Sequence, residues 1–187
     1  MHDPPDPWAM ASARQPSAGT AAVARARALF LDEANVHGCA ETTFVVLKEA
    51  FGLPDATDSS AAMALNGGVA YSGGPCGALT GAALAVGLRF GARSVDDRSD
   101  DHASAKRNAR EVVARLMAEF EAEFGSVECR ALIGRDIRTP VAHAAFIESG
   151  IWRTACMAQI EFAVRALADG FDPDDRVPSS PGPGLSE

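Results

Sequence analysis

The chain has 187 residues, of which 47% are hydrophobic and 22% charged, as in a globular domain rather than a disordered chain. One domain of this length buries a sizeable core, which excludes a small scaffold held together by disulfides. The formal net charge of -8 lacks the clustered cations that bind phosphates, so we expect no nucleic-acid partner.

Both ends of the chain are predicted to be disordered. Residues 1–19 begin with prolines and acidic side chains, where a signal peptide would carry positive charge followed by an apolar run. Residues 172–187 contain four prolines and few apolar side chains. The longest apolar run, residues 76–88, is shorter than the roughly 20 residues of a membrane span, so no membrane insertion is expected. We predict a cytoplasmic protein whose helical domain covers residues 20–171.

Between the tails, apolar residues recur at helical spacing, and no stretch alternates over the length of a strand. Glycine and proline separate the helical segments. The helices, with their caps, are predicted over residues 21–36, 39–51, 58–65, 76–90, 102–124, 126–133 and 142–169. The expected fold is therefore all-α, a compact single-domain bundle of about five to seven helices.

Small residues recur at intervals of four in the helix after Pro75, at Gly77, Gly81 and Ala85. Such a row allows the backbone of another helix to approach closely. We interpret it as a packing surface rather than as a ligand site.

An acidic loop over residues 93–101 contains four aspartates and is followed by His102. Acidic side chains are favoured where a loop leads into a helix N-terminus, which explains this composition. A metal site is the alternative interpretation of the loop.

The four cysteines are far apart in sequence, with gaps of 37, 53 and 27 positions and no CxxC pair. This spacing excludes a zinc ribbon and a thioredoxin-type site. The cysteines are Cys39, Cys76, Cys129 and Cys156. Every chemical function requires some of them together, so we expect them to converge in the folded chain.

Three of the cysteines, Cys39, Cys76 and Cys129, are predicted in the first turn of a helix, where free N–H groups and the helix dipole stabilise a thiolate. Cys76 is expected to have the lowest pKa, because the N–H groups of Gly77 and Ala78 can point to its sulfur. Glu128 disfavours the thiolate of Cys129. Cys156 is predicted inside the last helix on its core-facing stripe, where burial makes it least reactive.

The segment Cys76-Gly77-Ala78-Leu79-Thr80-Gly81 fits a CGAxxG motif, with one cysteine before it and two after it. With this cysteine order, residues 31–167 resemble the redox-active four-cysteine family C_GCAxxG_C_C. Cys129-Arg130-Ala131-Leu132-Ile133-Gly134 is similar to the CRxLxG segment of that family. Cys39 and Cys156 stand where its first and fourth cysteines are expected. The resemblance implies a compact helical fold and a redox role for the cysteines.

One position departs from the family pattern. Gly38 precedes the first cysteine, whereas the family commonly has asparagine there. This departure leaves the local geometry at Cys39 open.

Three functions are compatible with these residues. The first is thiol–disulfide or electron-transfer chemistry of a thiol-dependent oxidoreductase, in which Cys76 is oxidised and a second cysteine resolves it, with an unidentified redox partner. The second is a zinc or iron–sulfur site with the metal ligands Cys39, Cys76, Cys129 and Cys156. The third is a non-catalytic helical interaction module whose cysteines fill the core. His37 is a ligand or base in the first two, or else a surface or cap residue.

Overall fold

The computed structural model describes residues 16–34, 36–91 and 100–170, which form helices and contain no strand. The α-helices are α1 (Ala18–Phe30), α2 (Cys39–Ala50), α3 (Gly77–Gly91), α4 (Asp100–Phe124), α5 (Cys129–Ile133), α6 (Pro140–Glu148) and α7 (Ala155–Gly170). Short 3-10 helices cover Ser60–Leu65 and Ile151–Arg153. The predicted all-α fold is confirmed. Most of both predicted tails and residues 93–99 of the acidic loop lie outside the described residues.

Helix α2 lies at the centre of the packing, against α3, α7 and α1. All of its residues from Ala40 to Lys48 are buried, as expected for a helix surrounded by other helices. Helices α1 and α7 pack against each other, and α4 packs against α3. Val112, Leu116 and Phe120 of α4 are buried. The N-terminal end of α2, where Cys39 lies, is therefore held by neighbours on several sides.

The glycine row of α3 is the surface on which α2 packs. A Cβ atom at Gly81 would collide with the carbonyl oxygen of Ala40, and one at Gly77 would collide with the sulfur of Cys39. Gly87, further along the same helix, has open space around it. The packing interpretation of Gly77 and Gly81 is confirmed, and this contact brings the beginnings of α2 and α3 together.

The last predicted helix, residues 142–169, is wrong as a single element. The chain forms α6, a 3-10 turn and α7 instead, because Gly150 adopts a left-handed conformation with φ 69° and turns the chain. Trp152 then donates a hydrogen bond from Nε1 to the carbonyl of Ile147 at 3.2 Å. The break places Cys156 in the first turn of α7 rather than in a helix interior.

Candidate functional site

The beginning of α2 is capped from a distant loop. Gly38 precedes the helix and has no side chain that could cap it. The cap comes instead from Asn66, whose Oδ1 accepts a hydrogen bond from the N–H of Ala40 at 2.9 Å. The amide of Asn66 also donates to the carboxylate of Glu41 at 2.7 Å, and that carboxylate accepts the N–H of Gly38 at 2.9 Å. A Cβ at Gly38 would collide with the amide of Asn66. Glycine before the first cysteine therefore makes room for a cap supplied by Asn66.

The loop after Asn66 makes a left-handed turn of five consecutive residues. Gly67, Gly68, Val69, Ala70 and Tyr71 all have positive φ, between 51° and 78°. This conformation costs an L-residue other than glycine about 1–2 kcal/mol. The turn places the ring of Tyr71 next to His143, with 4.4 Å between the ring centroids. Backbone hydrogen bonds close it, including Tyr71 N–H to the Asn66 carbonyl at 3.1 Å.

A short antiparallel pairing connects the chain before α3 with the chain before α5. Pro75 and Glu128 form a β-bridge, in which Cys76 donates its N–H to Val127 at 2.8 Å and Cys129 donates its N–H to Gly74 at 2.7 Å. Cys76 immediately precedes α3, and Cys129 is the first residue of α5. The pairing therefore holds these two cysteines near each other as they enter their helices.

Cys76 is the most deeply buried of the four cysteines, with 1% of its surface exposed. Its sulfur donates to Oε1 of Gln159, a buried residue of α7, at 3.3 Å. Burial raises the pKa of Cys76 well above its ordinary value, a charge on Cys39 raises it further, and the N–H of Ala78 lowers it. The prediction that Cys76 has the lowest pKa is wrong, because removal from water outweighs the helix-start N–H groups.

Cys39 is only partly buried. Burial raises the pKa of its thiol, while the backbone N–H groups of Gly67, Ala40, Cys39 itself and Gly77 lower it. These donors come from the loop, from α2 and from α3. The N–H of Gly77, which we expected to serve Cys76, therefore acts on Cys39, because the two helix starts pack against each other.

Cys129 and Cys156 are buried, with 6% and 7% exposure. Burial raises the pKa of Cys129 to about 12, and a charge on Cys39 adds to this effect. Burial also raises the pKa of Cys156, followed by charges on Cys39 and Cys129. A charge on Cys39 thus acts on all three other cysteines. The sequence predicts Glu128 as the cause of a raised pKa at Cys129, whereas the structure gives burial and a charge on Cys39 as the causes.

A pocket of about 270 Å³ opens beside Cys39 and is also lined by Cys129 and Cys156. The structure thus brings three of the predicted site residues to one surface, and Cys76 adjoins Gly77, on which the sulfur of Cys39 rests. His37 lines the pocket too. The other lining residues are Phe30, Val36, Gly38, Asn66, Gly67, Tyr71, Ile137, His143, Phe146, Ile147 and Trp152.

The described residues show no arrangement of side chains that matches a metal site. Among them, no group of three or more His, Cys, Asp or Glu side chains is arranged to hold a metal ion. The ligand set of four cysteines thus remains a prediction from the sequence alone.

Several residues of the site were not predicted from the sequence. The predicted elements place Asn66 and Tyr71 between two helices, and His143 and Trp152 within one long helix. Gln159, the partner of Cys76, is a polar residue on the apolar face of α7, three positions after Cys156. A polar residue on the apolar face of a helix, one turn from a cysteine, is the sequence signal that could have identified Gln159.

The fold and the site define a class: an all-helical protein in which three cysteines at helix starts line one pocket and a fourth is buried before a neighbouring helix. The chain belongs to the family described as "Putative redox-active protein (C_GCAxxG_C_C)", whose model matches residues 37–169. No curated protein and no solved structure matches the chain. Among the described helices, none combines the length and the apolar character needed to cross a membrane.

Proposed function

We propose that the protein carries out thiol–disulfide redox chemistry in which Cys39 is the reacting thiol. The observation that carries this proposal is the setting of its sulfur, which borders the pocket and faces backbone N–H groups from three segments of the chain. A reactive cysteine needs both access to its reaction partner and donors that stabilise the thiolate. Cys76, Cys129 and Cys156 are buried and have less access.

The second thiol comes from the three buried cysteines. Burial raises the pKa of each of them and a charge on Cys39 raises it further, so they remain protonated when Cys39 ionises. A protonated neighbour does not repel the Cys39 thiolate, and it supplies the sulfur that closes a disulfide. We place this chemistry in the cytoplasm, where reducing buffers keep ordinary cysteines as free thiols between reaction cycles.

Hydrogen peroxide is a suitable probe oxidant. The Cys39 thiolate attacks one peroxide oxygen, the O–O bond breaks, and a sulfenic acid and hydroxide form; the hydroxide takes up the proton that the thiol released and becomes water. A neighbouring thiol then attacks the Cys39 sulfur, the S–O bond breaks, and a disulfide and a second water form. Two electrons pass from the two sulfurs to the peroxide.

The test is to treat the fully reduced, metal-free protein with one equivalent of peroxide and to map the disulfides by mass spectrometry. We expect one disulfide that contains Cys39 and one buried cysteine. Cys39→Ser should abolish this disulfide. Of the variants Cys76→Ser, Cys129→Ser and Cys156→Ser, only the one that removes the second cysteine of the disulfide should also abolish it. Disulfide formation in Cys39→Ser at the rate of the unchanged chain would contradict the proposal.

Anaerobic purification followed by metal analysis provides a second test. We expect less than one iron or zinc per chain and four titratable thiols after reduction. A stoichiometric metal that removes those thiols from titration would instead establish the ligand site.

A further inference from the structure

We propose that the pocket beside Cys39 binds a flat, uncharged aromatic oxidant of the quinone class, which accepts two electrons from the cysteines. This inference rests on the proposed function and names the oxidant for the same site. It is carried by the ring-lined walls of the pocket, by the chemistry of its lining residues and by its exposed apolar rim.

Aromatic side chains from four parts of the chain form the walls. Phe30 at the end of α1 meets Trp152 edge to face, with 5.3 Å between the ring centroids. Tyr71 of the left-handed turn lies against His143 of α6, and Phe146 of the same helix follows it. Ring walls favour a flat ligand, and a volume of about 270 Å³ suits a molecule with one or two rings.

The lining also restricts the charge of the ligand. Among the described residues that line the pocket there is no Lys, Arg, Asp or Glu. Glutathione disulfide and the nicotinamide and flavin nucleotides carry carboxylates or phosphates, which would lose their hydration here without a cation to replace it. The polar side chains of Tyr71, His37 and His143 suit the carbonyl oxygens of an uncharged ring.

The rim is apolar and open to solvent. Val36 is 85% exposed, Ile147 47% and Tyr71 41%, and all three line the pocket. Large apolar side chains that remain exposed around a concave site mark a surface for an apolar ligand. The thiol of Cys39 and this rim border the same space, so a bound ring would lie next to the reacting sulfur.

The electron balance of the step is complete. Two thiols lose two protons and two electrons as one S–S bond forms. The quinone takes up both protons and both electrons, and its two carbonyl oxygens become the hydroxyls of the hydroquinone. The cysteine pair is thus oxidised to a disulfide, with no other reactant needed.

Binding is tested with tetramethylbenzoquinone, whose fully substituted ring offers thiols no free carbon to attack. Trp8→Phe leaves Trp152 as the single tryptophan of the chain, so that its fluorescence reports on the pocket. The same chain also carries Cys39→Ser and is kept reduced and anaerobic, which prevents the proposed reaction during the titration. We expect saturable quenching of Trp152.

Two substitutions on α6 provide the matched comparison. Ile147→Asp places a charge on the pocket wall, whereas Val141→Asp places the same charge at a residue that is 81% exposed and does not line the pocket. Ile147→Asp should weaken quinone binding at least tenfold, and Val141→Asp should leave it within twofold. Circular dichroism of both variants checks that they keep the helical fold.

Electron transfer is measured with Cys39 restored. Reduced protein should lose two thiols for each quinone reduced, and a sulfonated quinone of similar size should react at least tenfold more slowly. Unsaturable quenching, equal effects of the two aspartates, or binding without loss of thiols would each overturn this inference. If the peroxide disulfide still forms, the proposed function stands without it, whereas loss of that disulfide overturns the proposed function itself.

Discussion

The sulfur of Cys39 rests on Gly77, the glycine that follows the second cysteine of the chain. A Cβ at this glycine would collide with the sulfur, and the N–H of Gly77 lowers the pKa of the thiol. The glycine of the CGAxxG motif thus serves the first cysteine rather than the one beside it. The close approach of α2 and α3 is accordingly a condition for the chemistry that we propose at Cys39.

That approach can be tested by stability measurements. Gly81→Ala should lower the free energy of unfolding by about 1–3 kcal/mol, because its Cβ would collide with the backbone of Ala40, which cannot rotate away. Gly87→Ala on the same helix is the control. It meets no atom within 4 Å and should raise stability by about 0.5–1 kcal/mol through helix propensity. Denaturant unfolding of both variants gives the comparison, and equal effects would contradict the packing argument.

Alkylation rates should rank the four thiols differently from the order expected from sequence. Iodoacetamide should modify Cys39 first, at least about tenfold faster than any other cysteine, and Cys76 last. Because burial raises the pKa of Cys39 above its ordinary value of 9.0, its rate should still increase with pH at pH 9. Mass spectrometry of the reduced, metal-free protein follows each cysteine. Modification of Cys76 before Cys39 would show that access and N–H donors do not determine reactivity here.

Asn66 should matter for stability although it lies far from α2 in sequence. Asn66→Ala leaves the N–H of Ala40 without its acceptor and removes a donor from the buried Glu41 carboxylate. We expect a loss of about 1–3 kcal/mol in the free energy of unfolding, the usual cost of unsatisfied buried polar groups. Asn108→Ala, at a partly exposed position of α4, is the matched control and should change stability by less than about 0.5 kcal/mol.

Stability should decrease at alkaline pH because the buried thiols ionise only in the unfolded chain. The pKa of Cys129 is about 12 in the folded protein and ordinarily 9.0, so the unfolded state binds fewer protons between these values. Each such thiol lowers the free energy of unfolding by about 1.4 kcal/mol per pH unit in this range. Cys129→Ala should therefore show a shallower decline than the unchanged chain in urea unfolding at pH 9.5, 10 and 10.5. Parallel declines would contradict the raised pKa.

The sequence by itself determined the all-α fold and the helix-start positions of two of the four cysteines. Helical periodicity and the stop residues after each helix act within a few residues of chain, so the all-α fold could be predicted. The first-turn positions of Cys39 and Cys129 follow from the same local signals. The apolar pattern continues on both sides of Gly150, so periodicity does not reveal the break there.

Only the tertiary structure decided how deeply each thiol is buried and which N–H groups face it. The N–H donors of Cys39 come from Gly67 and Gly77 as well as from its own helix, so the local sequence does not reveal them. The burial of Cys76 depends on the packing of α7, whose Gln159 lies 83 positions further along the chain. Local sequence predicts helix-start donors, but desolvation depends on the neighbours that packing supplies, and at Cys76 desolvation is the larger effect.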